Sequence, residues 1–428
     1  MFEKITERLR GRRVLILGFG REGQSTLRFL QRYLPDTPVT VADRNEAALE
    51  PLQRQGIPTI GGTGYLDGIN DFEVVVKTPG ISLKDVTVAN PVEITSQTDL
   101  FLSQFHRQTI GITGTKGKST TTSLIYHLLQ ASGRDAILTG NIGIPCFDVM
   151  ERIGPESIVV YELSAHQLEY VHNSPRVGVL LNVFEEHLDH FGTMERYRQS
   201  KFNLLRFMEA DDFAVVHDSL LMETLELGVN SVVFSQMEFD IDEEALPLLG
   251  AHNLLNVKAA LCACGAYGID PNELLPHLYT FRPLAHRLEP VGTFGGVAFV
   301  NDSISTIPQA AVSACEALGR VDYLLLGGFD RGIDYQPLAD YLKRRPVPHL
   351  LFTGEAGRRM RRMMETQEVD AELVDYASME EAFEYLGRHA QPGEVCLLSP
   401  AASSYDQYKN FEERGAKFKR LAEAFRPA

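Results

Sequence analysis

The densest group of reactive residue types is the run Gly111-Ile112-Thr113-Gly114-Thr115-Lys116-Gly117-Lys118-Ser119-Thr120, which joins an apolar stretch to a helix-forming one. Backbone N–H groups of such a glycine-bearing turn can wrap a phosphate chain, and the N-terminus of the following helix favours negative charge. Lys118 is expected at the β and γ oxygens of a nucleotide, and Ser119 at Mg2+ through its hydroxyl. A strict G-x-x-x-x-G-K-[ST] loop has glycine where Ile112 stands, so this is a shorter Gly-Thr-Lys-Gly-Lys-Ser form. Glu162 follows the apolar run 158–161, at the place where phosphate-loop proteins carry a metal-holding acid. His187 lies in Asn182-Val183-Phe184-Glu185-Glu186-His187-Leu188-Asp189-His190, after a further apolar run. Parallel strands bring their C-terminal ends to one edge, so His187 is expected near Glu162 and the phosphate loop.

A second glycine turn, Gly18-Phe19-Gly20-Arg21-Glu22-Gly23, matches G-x-G-x-x-G, and Asp43 ends the next strand. That spacing suits a dinucleotide, and so an NAD-dependent dehydrogenase. It equally suits any diphosphate, including that of a UDP-sugar, and the phosphate loop in the next segment makes redox chemistry the less attractive choice. Thr78-Pro79-Gly80, after a third strand, adds backbone groups at the same edge.

The elements that must hold these groups are strands and helices in alternation, which predicts an α/β chain of parallel sheets. Strands are expected at 14–17, 39–42, 74–76, 109–112, 158–161, 177–181, 297–300, 323–326, 349–352 and 395–398, with a helix over 119–129 and with 158–161 and 177–181 as neighbours. Three successive α/β units follow: 1–105 Rossmann-like, 106–288 a phosphate-loop ATPase type of sheet, and 289–428 Rossmann-like. A chain of 428 residues is long enough for two or three cores. Its net charge of −16, with no basic patch, argues against nucleic acid and anionic membrane. The five cysteines are scattered and lack zinc spacing, as in a reducing compartment. With no apolar signal core at the N-terminus and no membrane-length apolar run, a cytoplasmic location is expected.

Taken in order, these motifs resemble the Mur ligase family. The resemblance runs through Gly140-Asn141-Ile142-Gly143-Ile144-Pro145, Glu162-Leu163-Ser164, Lys201, His252-Asn253 with Asn256, His286-Arg287, Asn301-Asp302-Ser303, Gly327-Gly328, Leu398-Ser399-Pro400-Ala401 and Asn410-Phe411-Glu412-Glu413-Arg414-Gly415. It implies an ATP-dependent ligase of peptidoglycan synthesis. Such an enzyme adds glutamate, D-glutamate expected, to UDP-N-acetylmuramoyl-L-alanine through an acyl-phosphate, and acts as a monomer. It implies ATP at Gly114, Thr115, Lys116, Gly117, Lys118, Ser119, Thr120, Asn253, Asn256, Arg287 and Asp302. The UDP-sugar would lie at Gly18, Gly20, Arg21, Gly23, Asp43, Thr78, Pro79, Gly80, Asn141, Ser164 and Gln167. The amino acid would lie at Thr306, Arg331, Ser404 and Phe411. Lys118, His187 and Lys201 would be catalytic, and Mg2+ would be held by Ser119, Glu162, His187 and Lys201, the last as a carbamate. One departure stands out: the family's Asp-Ser-Lys-Ala-Thr-Asn run reads Asp302-Ser303-Ile304-Ser305-Thr306-Ile307, and Arg331 replaces a lysine. The added amino acid is thereby left open, and a ligase of the same family adding L-glutamate to the same carboxylate is the alternative. A polyglutamate ligase acting on folate is a further relative, against which the N-terminal UDP-type unit weighs.

Overall fold

The structure is a computed structural model and describes residues 2–89, 91–248 and 250–427. Three sheets organise it. In the first, β1 (Val14–Leu17), β2 (Val39–Asp43), β3 (Thr59–Gly61), β4 (Val74–Lys77) and β5 (Glu93–Thr95) run parallel in the order β3-β2-β1-β4-β5. β1 and β4 are buried throughout, which suits continuous apolar runs covered on both faces rather than alternating ones. Leu17 pairs with both Ala42 and Lys77, so the residues that follow, Gly18, Asp43 and Thr78, reach one edge together.

The second sheet is also parallel: β6 (Thr109–Thr113), β7 (Ala136–Gly140), β8 (Ile158–Glu162), β9 (Val177–Leu180), β10 (Phe213–Val216) and β11 (Asn230–Val233), in the order β11-β10-β9-β6-β8-β7. β8 and β9, expected as neighbours, are instead separated by β6, the strand that feeds the phosphate loop. Apolar runs alone do not encode strand order. The insertion sets Ile112 opposite Glu162 and Thr113 opposite Leu180, so that acid and loop flank the glycine turn from both sides.

The third sheet has β12 (Glu289–Phe294), β13 (Val297–Asn301), β14 (Tyr323–Gly327), β15 (His349–Thr353), β16 (Glu372–Asp375) and β17 (Val395–Leu398), in the order β12-β13-β17-β14-β15-β16. It is mixed, because β12 and β13 form an antiparallel hairpin while the other pairings are parallel. Gly295 and Gly296, at φ 58° and 82°, supply the left-handed pair that a two-residue hairpin turn requires.

By contact density the chain forms two compact units, 1–246 with 253–281, and 247–252 with 282–428. The first two sheets share one unit. They are joined through the helix Gln97–Phe105, where Thr98 Oγ1 meets the Tyr161 hydroxyl at 2.9 Å and Phe101 packs edge-on against the same ring. All five cysteines are buried and unbridged, and burial pushes the thiols of Cys262, Cys264 and Cys315 up to about 12. Among the described residues, no helix is long and apolar enough to cross a membrane.

Candidate functional site

The phosphate loop leaves β6 and enters the helix Lys118–Ala131. Gly117 lies at φ 86°, and a Cβ there would come within 2.5 Å of Asn256 Oδ1, so both conformation and space require glycine. The loop is braced from three sides. Lys116 N donates to Asn182 Oδ1 at 2.8 Å and Asn182 Nδ2 donates back to Lys116 O at 3.1 Å. Thr115 Oγ1 meets the Tyr197 hydroxyl at 3.0 Å and accepts from Phe184 N at 2.9 Å. Asn256, on the helix Ala251–Tyr267, accepts from Thr121 Oγ1 at 3.3 Å and donates to Asn253 Oδ1 at 2.9 Å. Ser119 and Thr120 occupy the first helical turn.

Two lysine amines meet at one carbonyl inside this loop. Lys118 Nζ donates to Gly114 O at 2.9 Å and to Thr115 O at 3.0 Å; Lys201 Nζ donates to Gly114 O at 2.8 Å. Lys201 is 1% exposed and lies over the Tyr197 ring. Burial first, and the neighbouring Lys118 second, hold its amine well below the ordinary lysine pKa. The helix Met194–Arg206 carries Lys201 close to the sheet because Gly111 and Gly178 are cross-strand partners on β6 and β9. A Cβ at Gly178 would stand 2.7 Å from Leu205 Cδ2, and one at Gly111 3.1 Å from Leu204 Cδ1.

Glu162, 1% exposed at the end of β8, accepts from Asn141 Nδ2 at 2.8 Å through Oε1, while its Oε2 is shielded and has no hydrogen-bond partner. A buried carboxylate oxygen left in that state suits a hard cation, since such groups are otherwise satisfied. His187, at φ 59°, is an exposed residue on the loop after β9, its ring beside those of His166 and Tyr197. Among the described residues, no three His, Cys, Asp or Glu side chains converge as a metal cluster on their own. A metal here would need the hydroxyl of Ser119 or a modified Lys201. The side chain of Asp189 lies outside the described residues.

At the first sheet's edge, Gly18 lies at φ 95°, and a Cβ there would overlap Thr78 Oγ1, which itself donates to Leu17 O at 3.0 Å. Asp43 accepts from Phe19 N at 2.6 Å and Asn45 N at 2.7 Å, so its carboxylate shapes the glycine turn. Gly20 caps the helix Arg21–Tyr33, a Cβ at Gly23 would overlap Gly18 O, and Arg21 is exposed. Pro79 and Gly80 follow Thr78 in the turn after β4. Ser164 and Gln167 form a capping box, and Gln167 Nε2 reaches across to Glu22 Oε1 at 2.7 Å, joining the glycine turn to the second sheet. Burial pushes the Glu22 carboxyl up to about 7, against the opposing pull of Gln167 and Lys77. Lys77, almost wholly buried, pairs with Glu169 at 3.0 Å, and Glu169 in turn meets His190 Nε2 at 3.1 Å. The sequence reading passed over this network. Its signal was a lysine closing the apolar run 74–76, where a solvated charge is out of place.

The remaining expected residues belong to the second unit. Asp302, 3% exposed, accepts from Ser305 Oγ at 2.5 Å, Ser399 Oγ at 2.7 Å and Leu288 N at 3.1 Å. Burial nevertheless pushes its carboxyl up to about 6. Arg287 holds its Nε buried with no partner. Arg331 Nη2 donates to Thr306 O at 2.6 Å, Ser404 is buried, and Phe411 begins the helix Phe411–Glu423 with its carbonyl taking the Ser303 hydroxyl at 2.8 Å.

Comparison with known proteins agrees with this arrangement. The family model of the Mur ligase middle domain matches residues 112–264, and that of the Mur ligase glutamate ligase domain matches residues 286–402. A UDP-N-acetylmuramoylalanine–D-glutamate ligase of Symbiobacterium thermophilum is 32% identical, covering 96% of this chain and 98% of its own. The chain belongs to the Mur ligase family. A second relative of the same name, from Pelotomaculum thermopropionicum, is 34% identical over 96% of this chain and 97% of its own. Among solved structures, a MurF of Acinetobacter baumannii superposes with a TM-score of 0.62 at 16% identity, covering 99% of this Mur ligase and 98% of that chain. The MurF ligase of Thermotoga maritima, solved with ADP, gives 0.58 at 17% identity over 98% and 97%. At such identities the superpositions speak for the fold. The dehydrogenase reading of the Gly18 turn finds no support among these relatives.

Proposed function

We propose that this Mur ligase joins glutamate to UDP-N-acetylmuramoyl-L-alanine in an ATP-dependent, amide-forming step of peptidoglycan precursor synthesis. The observation that carries the reading is the convergence of Lys118 and Lys201 on the carbonyl of Gly114, inside a phosphate-wrapping loop. Relatives of near-full length with that activity in their names support D-glutamate as the amino acid. Ile304, Ile307 and Arg331 keep L-glutamate on the same acceptor as the second reading. Residues 1–105 would take the UDP-substrate, 106–288 ATP and 289–428 the amino acid. The enzyme would work as a cytoplasmic monomer.

In this mechanism a terminal carboxylate oxygen of the acceptor attacks the γ-phosphorus and ADP leaves. The amine of glutamate then attacks the acyl carbon, phosphate leaves, and the amine loses a proton. Lys118 would move its hydrogen bonds from Gly114 O and Thr115 O to phosphate oxygens, while Gly117 keeps the backbone close. Glu162, Ser119, His187 and Lys201 would hold Mg2+, which supplies charge neutralisation at the phosphoryl group. The depressed basicity of Lys201 favours the neutral amine, the form that can add to CO2, giving a carbamate and releasing a proton. That would turn a buried amine into an anionic oxygen ligand.

The decisive experiment is phosphate release from ATP with UDP-N-acetylmuramoyl-L-alanine, run separately with D- and L-glutamate. Release that depends on one isomer is expected and fixes the chirality; release that depends on neither overturns the assignment. Lys118→Ala should lose at least about a hundredfold in turnover with an unchanged melting temperature. Activity within tenfold of wild type would remove the phosphate role.

A further inference from the structure

The second unit holds a buried cation that the mechanism does not use. Arg414, on the helix Phe411–Glu423, is 3% exposed, and among the described residues it has no carboxylate in ion-pair contact. Its guanidinium is spent on the chain itself. Nε donates to Ser303 Oγ at 3.0 Å, and Nη2 to Ser303 O at 2.9 Å and Ala402 O at 3.0 Å. Nη1 points at Gly327 O at 3.5 Å. These acceptors lie at the C-terminal ends of three strands: Ser303 just after β13, Gly327 closing β14 and Ala402 after β17, each leading into its own loop. A surface arginine would not give up water for carbonyls, and burial lowers the basicity of this one to about 10.

The three loops are otherwise fitted to one another without slack. Gly328 lies at φ 139°, and a Cβ there would overlap Ser403 O and stand 3.2 Å from Arg414 Nη1. Phe329 N donates to Ser403 O at 2.9 Å, and Ala401 is held at φ 54°. Ser303 passes the connection onward, since its hydroxyl accepts from Arg414 and donates to Phe411 O. Each loop carries one of the residues assigned to the amino acid: Thr306 follows Ser303, Arg331 follows Gly327, and Ser404 follows Ala402. The void beside the guanidinium, lined by Gly328, Thr353, Tyr376, Asp406 and Tyr408, measures only about 10 Å³, room for no more than one water. An amino acid cannot reach Arg414, which therefore acts through the loops.

We propose that Arg414 is the positioning residue of the amino-acid end, setting the mutual placement of Thr306, Arg331 and Ser404 and thereby the affinity for the incoming dicarboxylate. The proposal rests on the assignment of glutamate as substrate.

The test measures KM for glutamate, ATP and UDP-N-acetylmuramoyl-L-alanine separately in the full-length enzyme, for Arg414→Lys and Arg414→Met. Arg414→Met should raise KM for glutamate about tenfold or more while the other two stay within about twofold, and Arg414→Lys should recover part of the loss because one ammonium can bridge fewer carbonyls. Ser303→Ala removes one acceptor and the link to Phe411 while keeping the arginine. It should raise KM for glutamate about threefold and covers the case in which Arg414→Met does not fold. Equal rises in all three constants, or a fall in kcat with KM for glutamate unchanged, would overturn the proposal. Wild-type enzyme inert toward both glutamate isomers would instead strike the functional assignment.

Discussion

At the scale of single residues, the conflict between stability and use is clearest at Asp302. Three donors stabilise its charged form, yet burial outweighs them and raises its carboxyl from 3.8 to about 6. The folded unit therefore binds the proton more tightly than the unfolded chain, and stability falls as pH rises between those two values and is flat above them. Each pKa unit is worth about 1.4 kcal/mol, so the charge costs on the order of 2–3 kcal/mol at neutral pH. Asp302→Asn should thus raise the melting temperature of the C-terminal unit at pH 7.5, with the gain vanishing below pH ~4, while turnover falls if the residue serves ATP. Melting curves across that range decide it, and a gain of the same size at both ends would mean that the ionisation of Asp302 is not its source. The site residues differ in how far the sequence disclosed them. The phosphate loop was legible because its chemistry is local: glycines, a lysine and a hydroxyl in one run. Arg414 and Lys77 were not, because each is defined by loops or strands distant in sequence that close over it.

At the scale of elements, position is set by small residues and by pairs across the join between sheets. Gly178 on β9 lets the Lys201 helix lie against the strand, with Leu205 and Met208 carbons where a side chain would be. Gly178→Ala should cost about 1–3 kcal/mol through overpacking and should shift Lys201 outward. Turnover should fall more than tenfold at a temperature where the variant is fully folded. Circular dichroism with steady-state rates separates the two effects, and wild-type turnover in a destabilised variant would show that the helix moves without disturbing the lysine. A second element-level device is Asp99, with no exposed surface at the start of the helix Gln97–Phe105. It accepts from His172 N at 2.6 Å, Asn173 Nδ2 at 2.8 Å and Arg8 Nη2 at 3.0 Å. Burial would raise this carboxyl, but these donors win and lower it, while Asp99 in turn raises His172. The aspartate contributes stability above its unfolded value of 3.8 and loses it only in stronger acid; the histidine contributes below 6.5 and loses it as pH rises through its folded value. His172→Ala should therefore lower the melting temperature at pH 5.5 and leave it unchanged at pH 9, and an equal loss at both would point to packing alone. Most strands lay where apolar runs placed them, but the seat of β6 between β8 and β9 did not follow, because strand order depends on which crossovers pack and not on any one run.

At the scale of the whole molecule, a chain of net charge −16 is proposed to take two polyanionic nucleotides. The lysines around the phosphate loop are already engaged within the chain. Lys118 and Lys201 are turned onto a carbonyl, and Lys116 is paired with Glu186 at 3.0 Å. Within a Debye length, about 30 Å at 0.01 M salt and about 8 Å at 0.15 M, an approaching nucleotide senses the sum of the surface and is repelled. Inside the loop it senses backbone amides and lysines, which bulk salt screens poorly. The association rate of an ATP analogue should therefore rise a few fold between those two ionic strengths, while its dissociation rate changes little. Stopped-flow fluorescence with a labelled analogue reads both constants. A steep fall in the association rate with salt would mean that the approach to the loop is locally positive and that the net charge is irrelevant to capture. The predicted rise would mean instead that affinity in this Mur ligase is generated almost wholly after contact, by the geometry around Gly114 and Gly117.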